Sequence, residues 1–314
     1  MISIHSKEHQ SEQVEIAIFI KSYAPDFKNL FRLLKSIEQF NQDLIPIYVC
    51  VPDADITQAM SFDLGAEVSL VPESFFEADF PTSKIHGRSL GYLKQQIIKL
   101  AVYQLGVARH YIMLDSDAII IKPFSKPDFI NQFGIGYTVL VEDLDQFASP
   151  WYRGYADRRR RDIANIASRV GFSGTHLRTC HGNVTFSTTV LESFEKWRND
   201  QGLTPSDLME IGPYEFSWYN FFVQTHHPNL VDPIEPFIRY VHVKNEFRSW
   251  RYQGITIEDL QRSYLGVCLN SNWTRGRDSY YLARLRTKSL GFQLRKLRDF
   301  LERIPRGIAH RLFK

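Results

Sequence analysis

The first readable pattern in the chain is Val14–Lys21 (VEIAIFIK), a nearly continuous apolar run of the kind that forms a strand buried on both faces. It stops at Ser22-Tyr23-Ala24-Pro25. Phe27, Leu30, Leu33, Leu34 and Ile37 then recur at helical spacing and predict a helix over Phe27–Phe40. Ile45–Val51 predicts a second strand, closed by Pro52-Asp53, followed by a short helix over Ile56–Leu64 and a third strand at Val68–Val71. Leu93, Ile97, Ile98, Ala101 and Leu105 share one face of a helix over Gly91–Leu105, and Tyr111–Leu114 predicts a fourth strand. Strands alternating with helices predict an α/β fold, a mainly parallel sheet covered by helices.

The later half mixes shorter patterns. Helices are expected over Asp157–Val170, Thr188–Asn199, Tyr214–Gln224 and Ile257–Leu265, with strands at Val184–Ser187 and Phe237–Val243. No Pro/Ser linker, repeat or low-complexity stretch interrupts them. The expectation is a polar N-terminal tail over residues 1–13 and a single domain over 14–283 with an elaborated C-terminal half. A tail follows over 284–314, in which Leu290, Leu294, Leu297, Leu301 and Ile304 mark an amphipathic helix.

Charge changes the picture only when it is partitioned. The 314 residues carry a formal +3, but Arg284–Lys314 holds ten Lys/Arg against two acids, leaving −5 for the rest. A basic amphipathic helix on an acidic body reads either as a docked terminal helix or as an attachment to an anionic membrane surface. The acidic body argues against nucleic acid as a partner. Three scattered cysteines fit a reducing compartment. No apolar run approaches the ~20 residues of a membrane span, so the expected location is cytoplasmic, with a peripheral association at the inner face of the plasma membrane open through the tail.

The sharpest chemical feature is Tyr111-Ile-Met-Leu114-Asp115-Ser116-Asp117-Ala118-Ile-Ile-Ile121. A buried strand runs straight into two acids separated by one small residue, and a second apolar run follows. Asp is a common turn former, so the spacing alone is weak. At the carboxyl end of a parallel strand, where open sheets bind ligands, it reads instead as a pair of hard oxygen ligands. Mg²⁺ or Mn²⁺, held by one or two carboxylates and substrate phosphates, is the matching cation.

With its preceding helix, GYLKQQIIKLAVYQLG, the segment LDSDAIIIKPF resembles the D-x-D region of GT-A glycosyltransferases, and within them the bacterial DUF6492-type group. The resemblance implies a nucleotide-diphosphate sugar as donor, UDP-linked in the first instance, and a divalent metal. The acceptor would be a hydroxyl of a glycan or lipid-linked saccharide, as in bacterial surface polysaccharide synthesis. It places Lys21, Ser22 and Tyr23 at the nucleotide, with Asp53 as a further candidate for that pocket. It puts Lys94 and Asp115 on the donor as well, and Asp115 and Asp117 at the metal. His242, ending the apolar segment Phe237–His242, would complete the metal site, and Lys244 would meet the diphosphate. Glu215, at a helix start where the dipole favours a carboxylate, would be the general base of an inverting reaction; a retaining route stays open, because His242 followed by a lysine also resembles retaining families. Glu215 also reads as an ordinary helix-start acid. Trp218 would stack on an acceptor sugar, or lie in the core. His181 and Asn183, in a small polar turn, would bind sugar hydroxyls. Two other classes stay open: a Mg²⁺-dependent nucleotidyl- or phosphotransferase, and a non-catalytic sugar- or membrane-binding protein.

Overall fold

Four strands of the N-terminal part, Val14–Lys21, Ile47–Val51, Val68–Pro72 and Ala108–Asp115, pair as their apolar runs require, because each is largely buried and finds a partner on either side. In the computed structural model, which describes residues 3–4, 13–65, 67–141, 153–174, 184–274 and 277–303, they belong to a six-stranded sheet. Across it run Ser3–Ile4, Val68–Pro72, Ile47–Val51, Val14–Lys21, Ala108–Asp115 and Val184–Ser187. The first five are parallel, and Val184–Ser187 runs antiparallel along Ala108–Asp115. The strand Val14–Lys21 is sealed over its last six residues, Phe19 and Ile20 among them. The expected mixed α/β architecture is the observed one.

The chain divides into two compact units, Met1–Ser116 with Pro123–Pro236, and Asp117–Lys122 with Phe237–Lys314. The first holds the six-stranded sheet and a two-stranded parallel pair, Tyr137–Val139 with Asp232–Ile234. Helix Phe27–Phe40 forms as its spacing predicts and buries Leu30, Leu33, Leu34 and Ile37. The helix expected over Gly91–Leu105 is two pieces. Leu90–Leu100, capped by the Ser89 hydroxyl, is α-helical; Val102–Leu105 tightens into a 3₁₀ turn that ends at Gly106 with φ +68°. Only a residue free of a Cβ enters that left-handed region at no cost.

The second unit is built on three strands, Ile238–Val241, Gly266–Leu269 and Ala118–Ile120, the last antiparallel to the middle one. Gly266 has to be glycine, since a Cβ there would lie 2.7 Å from the Ile119 carbonyl oxygen. Val267 and Leu269 join Phe247, Trp250, Tyr281 and Leu285 in its core. Beyond the expected strand, residues from Lys244 onward form a helix, Lys244–Gln253, that ends on Gly254 at φ +80°.

The described part of the basic run, residues 284–303, belongs to this second unit. Its helix spans Leu290–Arg303, with the Ser289 hydroxyl accepting from the Phe292 N–H at 3.1 Å. The helix docks through Phe292, which lies against Gly254, and through Arg295, 4.7 Å above the Tyr252 ring. Leu290, Leu294 and Leu297 face outward, 70%, 56% and 54% exposed. These three leucines are therefore not what holds this helix to the unit; Leu301 and Ile304 of the expected stripe lie outside the described side chains. No described helix is long and apolar enough to cross a membrane.

Candidate active site

Sheet order concentrates functional chemistry at one place. From Val14–Lys21 the chain adds strands to one side and then returns to add Ala108–Asp115 on the other. The two central strands thus straddle the point where the strand order reverses, the usual ligand crevice of an open α/β sheet. Lys21 and Asp115, both at carboxyl ends, are partners in register across it.

Asp115 is held from behind by the preceding helix. Lys99 Nζ lies 2.7 Å from Asp115 Oδ1, and Gln95 Nε2 approaches the same oxygen at 3.4 Å. Lys99 also makes an ion pair with Glu215 Oε1 at 3.0 Å and sits 4.7 Å above the Phe216 ring. Lys99 and Glu215 are each only 1% exposed. Burial disfavours the Lys99 charge, but Asp115 and Glu215 outweigh it and hold the ammonium above its ordinary value. Burial pushes the Glu215 carboxyl up to about 7, against the pull of Lys99 and with the help of Asp115. Two acids that the sequence suggested separately, a hundred residues apart, are thus joined by one buried lysine.

That arrangement bears on the general-base role expected for Glu215 and matches the other reading, a helix-start acid. A general base must reach the hydroxyl it deprotonates, and a carboxyl sealed in the interior and committed to Lys99 offers no such approach. Trp218 takes the core position that was its other reading. It is fully buried, its indole N–H donates to the Gly212 carbonyl at 2.8 Å, and its ring packs beside Phe194 and Trp197. It is core and presents no face to a sugar.

The nucleotide-side residues fall around the carboxyl ends of neighbouring strands. Lys21 is buried, donates to the Ser22 carbonyl at 2.8 Å and pairs with Glu73 at 2.9 Å. Its ammonium is engaged within the protein. Lys94 meets the same Glu73 at 3.6 Å. Asp53 accepts the Ser74 N–H at 3.0 Å and the Ser74 hydroxyl, so it braces the loop after the next strand. Ser22 is buried with a hydroxyl that has no protein partner, and Tyr23 beside it is half exposed. His181 and Asn183 lie outside the described residues.

In the second unit, Asp117 is fixed by two donors: the Cys268 thiol at 3.0 Å to Oδ1 and the Ser271 N–H at 2.9 Å to Oδ2. His242 donates its backbone N–H to Glu246 Oε2 at 3.0 Å and stacks on Tyr240, with ring centroids 5.3 Å apart. Lys244 is exposed at the first turn of its helix. Among the described residues no three His, Cys, Asp or Glu side chains gather as a metal cluster. The donor chemistry nonetheless fits a hard cation. Asp115 and Asp117 are one residue apart and supply carboxylate oxygen, and Mg²⁺ or Mn²⁺ needs only one or two such ligands beside water and phosphate.

Lys99, Gln95, Glu73 and Cys268 carry this geometry and were not singled out from sequence. Lys99 left one trace: a charge set between Ile98 and Leu100 on a helix that buries most of its surface.

Residues 11–150 match the model of DUF6492, a family of unknown function. No curated protein sequence matches the chain. Among solved structures, the apo form of the bifunctional glycosyltransferase WbbM shares 10% identity at a TM-score of 0.51, covering 92% of this chain and 52% of WbbM. The chain thus spans about half the length of that protein. A crystal structure of an active-site mutant of LgtC aligns at 12% identity and a TM-score of 0.49, over 88% of this chain and 99% of that one. The chain therefore matches the DUF6492 family model over its N-terminal part and carries the GT-A glycosyltransferase fold.

Proposed function

We propose that the chain is a metal-dependent glycosyltransferase that moves a sugar from a nucleotide-diphosphate donor, a UDP-sugar first among them, to a hydroxyl of a glycan or lipid-linked acceptor. The observation that carries this reading is the Asp115-Ser116-Asp117 motif at the strand-order reversal, with Asp115 anchored by the buried Lys99. Tyr23, half exposed at the end of the central strand, offers a face for the nucleobase. Asp115 and Asp117 would hold Mg²⁺ or Mn²⁺, which when bound neutralises charge on the departing diphosphate. Lys99 holds Asp115 in place through an ion pair at 2.7 Å, and Glu215 pairs with the same lysine at 3.0 Å.

The outward leucines of Leu290–Arg303, with Arg295, Lys296 and Arg298 on the same helix, support attachment to an anionic membrane surface. That would bring the enzyme to a lipid-linked acceptor. The test of the catalytic reading is a screen of nucleotide sugars with Mn²⁺, reading nucleotide release and transfer. Activity with one donor, abolished by chelator and by Asp117→Asn, is the expected result. Absence of metal-dependent nucleotide binding across UDP, GDP, CDP and dTDP donors refutes the assignment.

A further inference from the structure

The second unit contains a cleft of ≈ 590 Å³ between helix Lys244–Gln253 and helix Asp278–Leu285. Five cations line it: Lys244, Arg248 and Arg251 from the first helix, and Arg277 and Arg284 from the second and its N-cap. On each helix the outer pair is seven residues apart, a separation of about 10 Å along the axis. None of its lining residues is acidic, and among the described side chains no carboxylate pairs with any of the five.

The guanidinium groups are positioned by neutral partners. Arg251 Nη1 donates to the carbonyls of Arg284 and Thr287, while its Nε is buried with no acceptor. Arg284 donates to the Tyr280 hydroxyl and lies over that ring, and Arg248 donates to Asn245 Oδ1 at 3.2 Å. Burial and the neighbouring Arg284 charge both work against the Arg251 proton. Gathering like charges without a counter-ion costs stability, and the cost is recovered when an anion fills the cleft. Arginine forks match phosphate oxygens in pairs, and the cations are spread more widely than one phosphate.

We propose that this cleft binds a diphosphate group directly, without a metal. It is a phosphate site additional to the one assigned to the donor at Asp117, and it takes Lys244 from the donor's diphosphate to a second ligand. The chemistry is shared by a free diphosphate and by the headgroup of a lipid diphosphate. The proposal does not require the glycosyltransferase reading, because its test needs no turnover.

Calorimetric titration of the full chain with inorganic pyrophosphate, in chelator and at low and moderate salt, reads the site. Saturable, salt-sensitive binding is expected. It should weaken at least fivefold in Arg248→Gln and in Arg277→Gln, and stay unchanged in Asp117→Asn. Both arginines are exposed, so the variants are expected to fold, and circular dichroism checks this. Flotation with neutral phosphatidylcholine vesicles carrying a lipid diphosphate separates the sources. Capture lost in Arg248→Gln assigns the lipid; pyrophosphate binding without capture assigns the free ligand. Three results overturn the proposal: binding that needs Mn²⁺ and disappears in Asp117→Asn, pyrophosphate binding that is absent or indifferent to both arginine variants, and capture by charge-matched phosphatidylglycerol vesicles that Arg248→Gln reduces as much as it reduces capture by the lipid diphosphate.

Discussion

Replacing Lys99 with methionine removes the cation that serves two acids and keeps most of the side-chain volume. The contacts are 2.7 Å to Asp115 and 3.0 Å to Glu215, with the lysine 1% exposed. At an effective dielectric near 20, each such contact is on the order of 5 kcal/mol of gross attraction. Desolvating the ions cancels much of that, so the pairs themselves contribute little net stability. The variant is different, because it leaves Asp115 and Glu215 without their shared counter-charge. Breaking a buried pair in this way costs about 3–5 kcal/mol, a large share of the roughly 5–15 kcal/mol that holds a domain folded. Hydrogen exchange at the amides of Ala108–Asp115, followed through a urea series, reads the stability of the first unit. Lys99→Met should lower it by about that amount. Adding Glu215→Gln should recover part of the loss, since one uncompensated carboxylate is then neutral. A loss under about 1 kcal/mol, or a double variant worse than the single, refutes the account of Lys99 as the bridge between the acids.

Three further outcomes follow from geometry already described. Glu215 titrates near 7 in the folded state against an ordinary value of 4.5, so the folded protein binds the proton more tightly. Stability should therefore fall as pH rises between about 4.5 and 7, and the Glu215→Gln variant should lack this component; identical pH profiles would refute it. Gly254→Ala places a Cβ 2.5 Å from the Phe292 ring at φ +80°. It should cost about 1–3 kcal/mol and strip exchange protection from Leu290–Arg303, with Phe292→Ala relieving part of the strain. Leu294→Asp with Leu297→Asp should reduce binding to anionic vesicles several-fold while the unfolding midpoint stays in place. Unchanged vesicle binding removes the membrane role of this stripe.

Much of the framework was legible because burial on both faces leaves a strand little choice of composition. Val14–Lys21 and Phe27–Phe40 show that period and apolar content alone set both type and extent. Boundaries failed where local hydrogen bonding decides. The helix that stops at Leu100 continues as a 3₁₀ turn with the same apolar face, so periodicity runs through the break. Helix Pro205–Ile211 was not read, yet Thr204, Pro205 and Asp207 form a capping box with proline at N1, a signal available in the sequence. Strands Tyr137–Val139 and Asp232–Ile234 carry three residues each, too few for a period to show. At the site, the acid motif announced itself by its position after a strand. Its supports did not, because the contact of Lys99 with Glu215 joins residues 116 positions apart, and no local pattern records such a pairing.

The strand Ala118–Ile120 belongs to a unit whose other strands begin only at Ile238. During synthesis, the segment that bears Asp117 emerges more than a hundred residues before the strand that receives it. Until Gly266–Leu269 is made, Asp117 lacks the Cys268 thiol and the Ser271 amide that orient it. Asp115 by contrast follows its partners Gln95 and Lys99 directly in the chain, so its support is made before it, whereas that of Asp117 is made about 150 residues after it. A chain interrupted before Cys268 would hold Asp115 from within its own unit and leave Asp117 without the two donors that orient it.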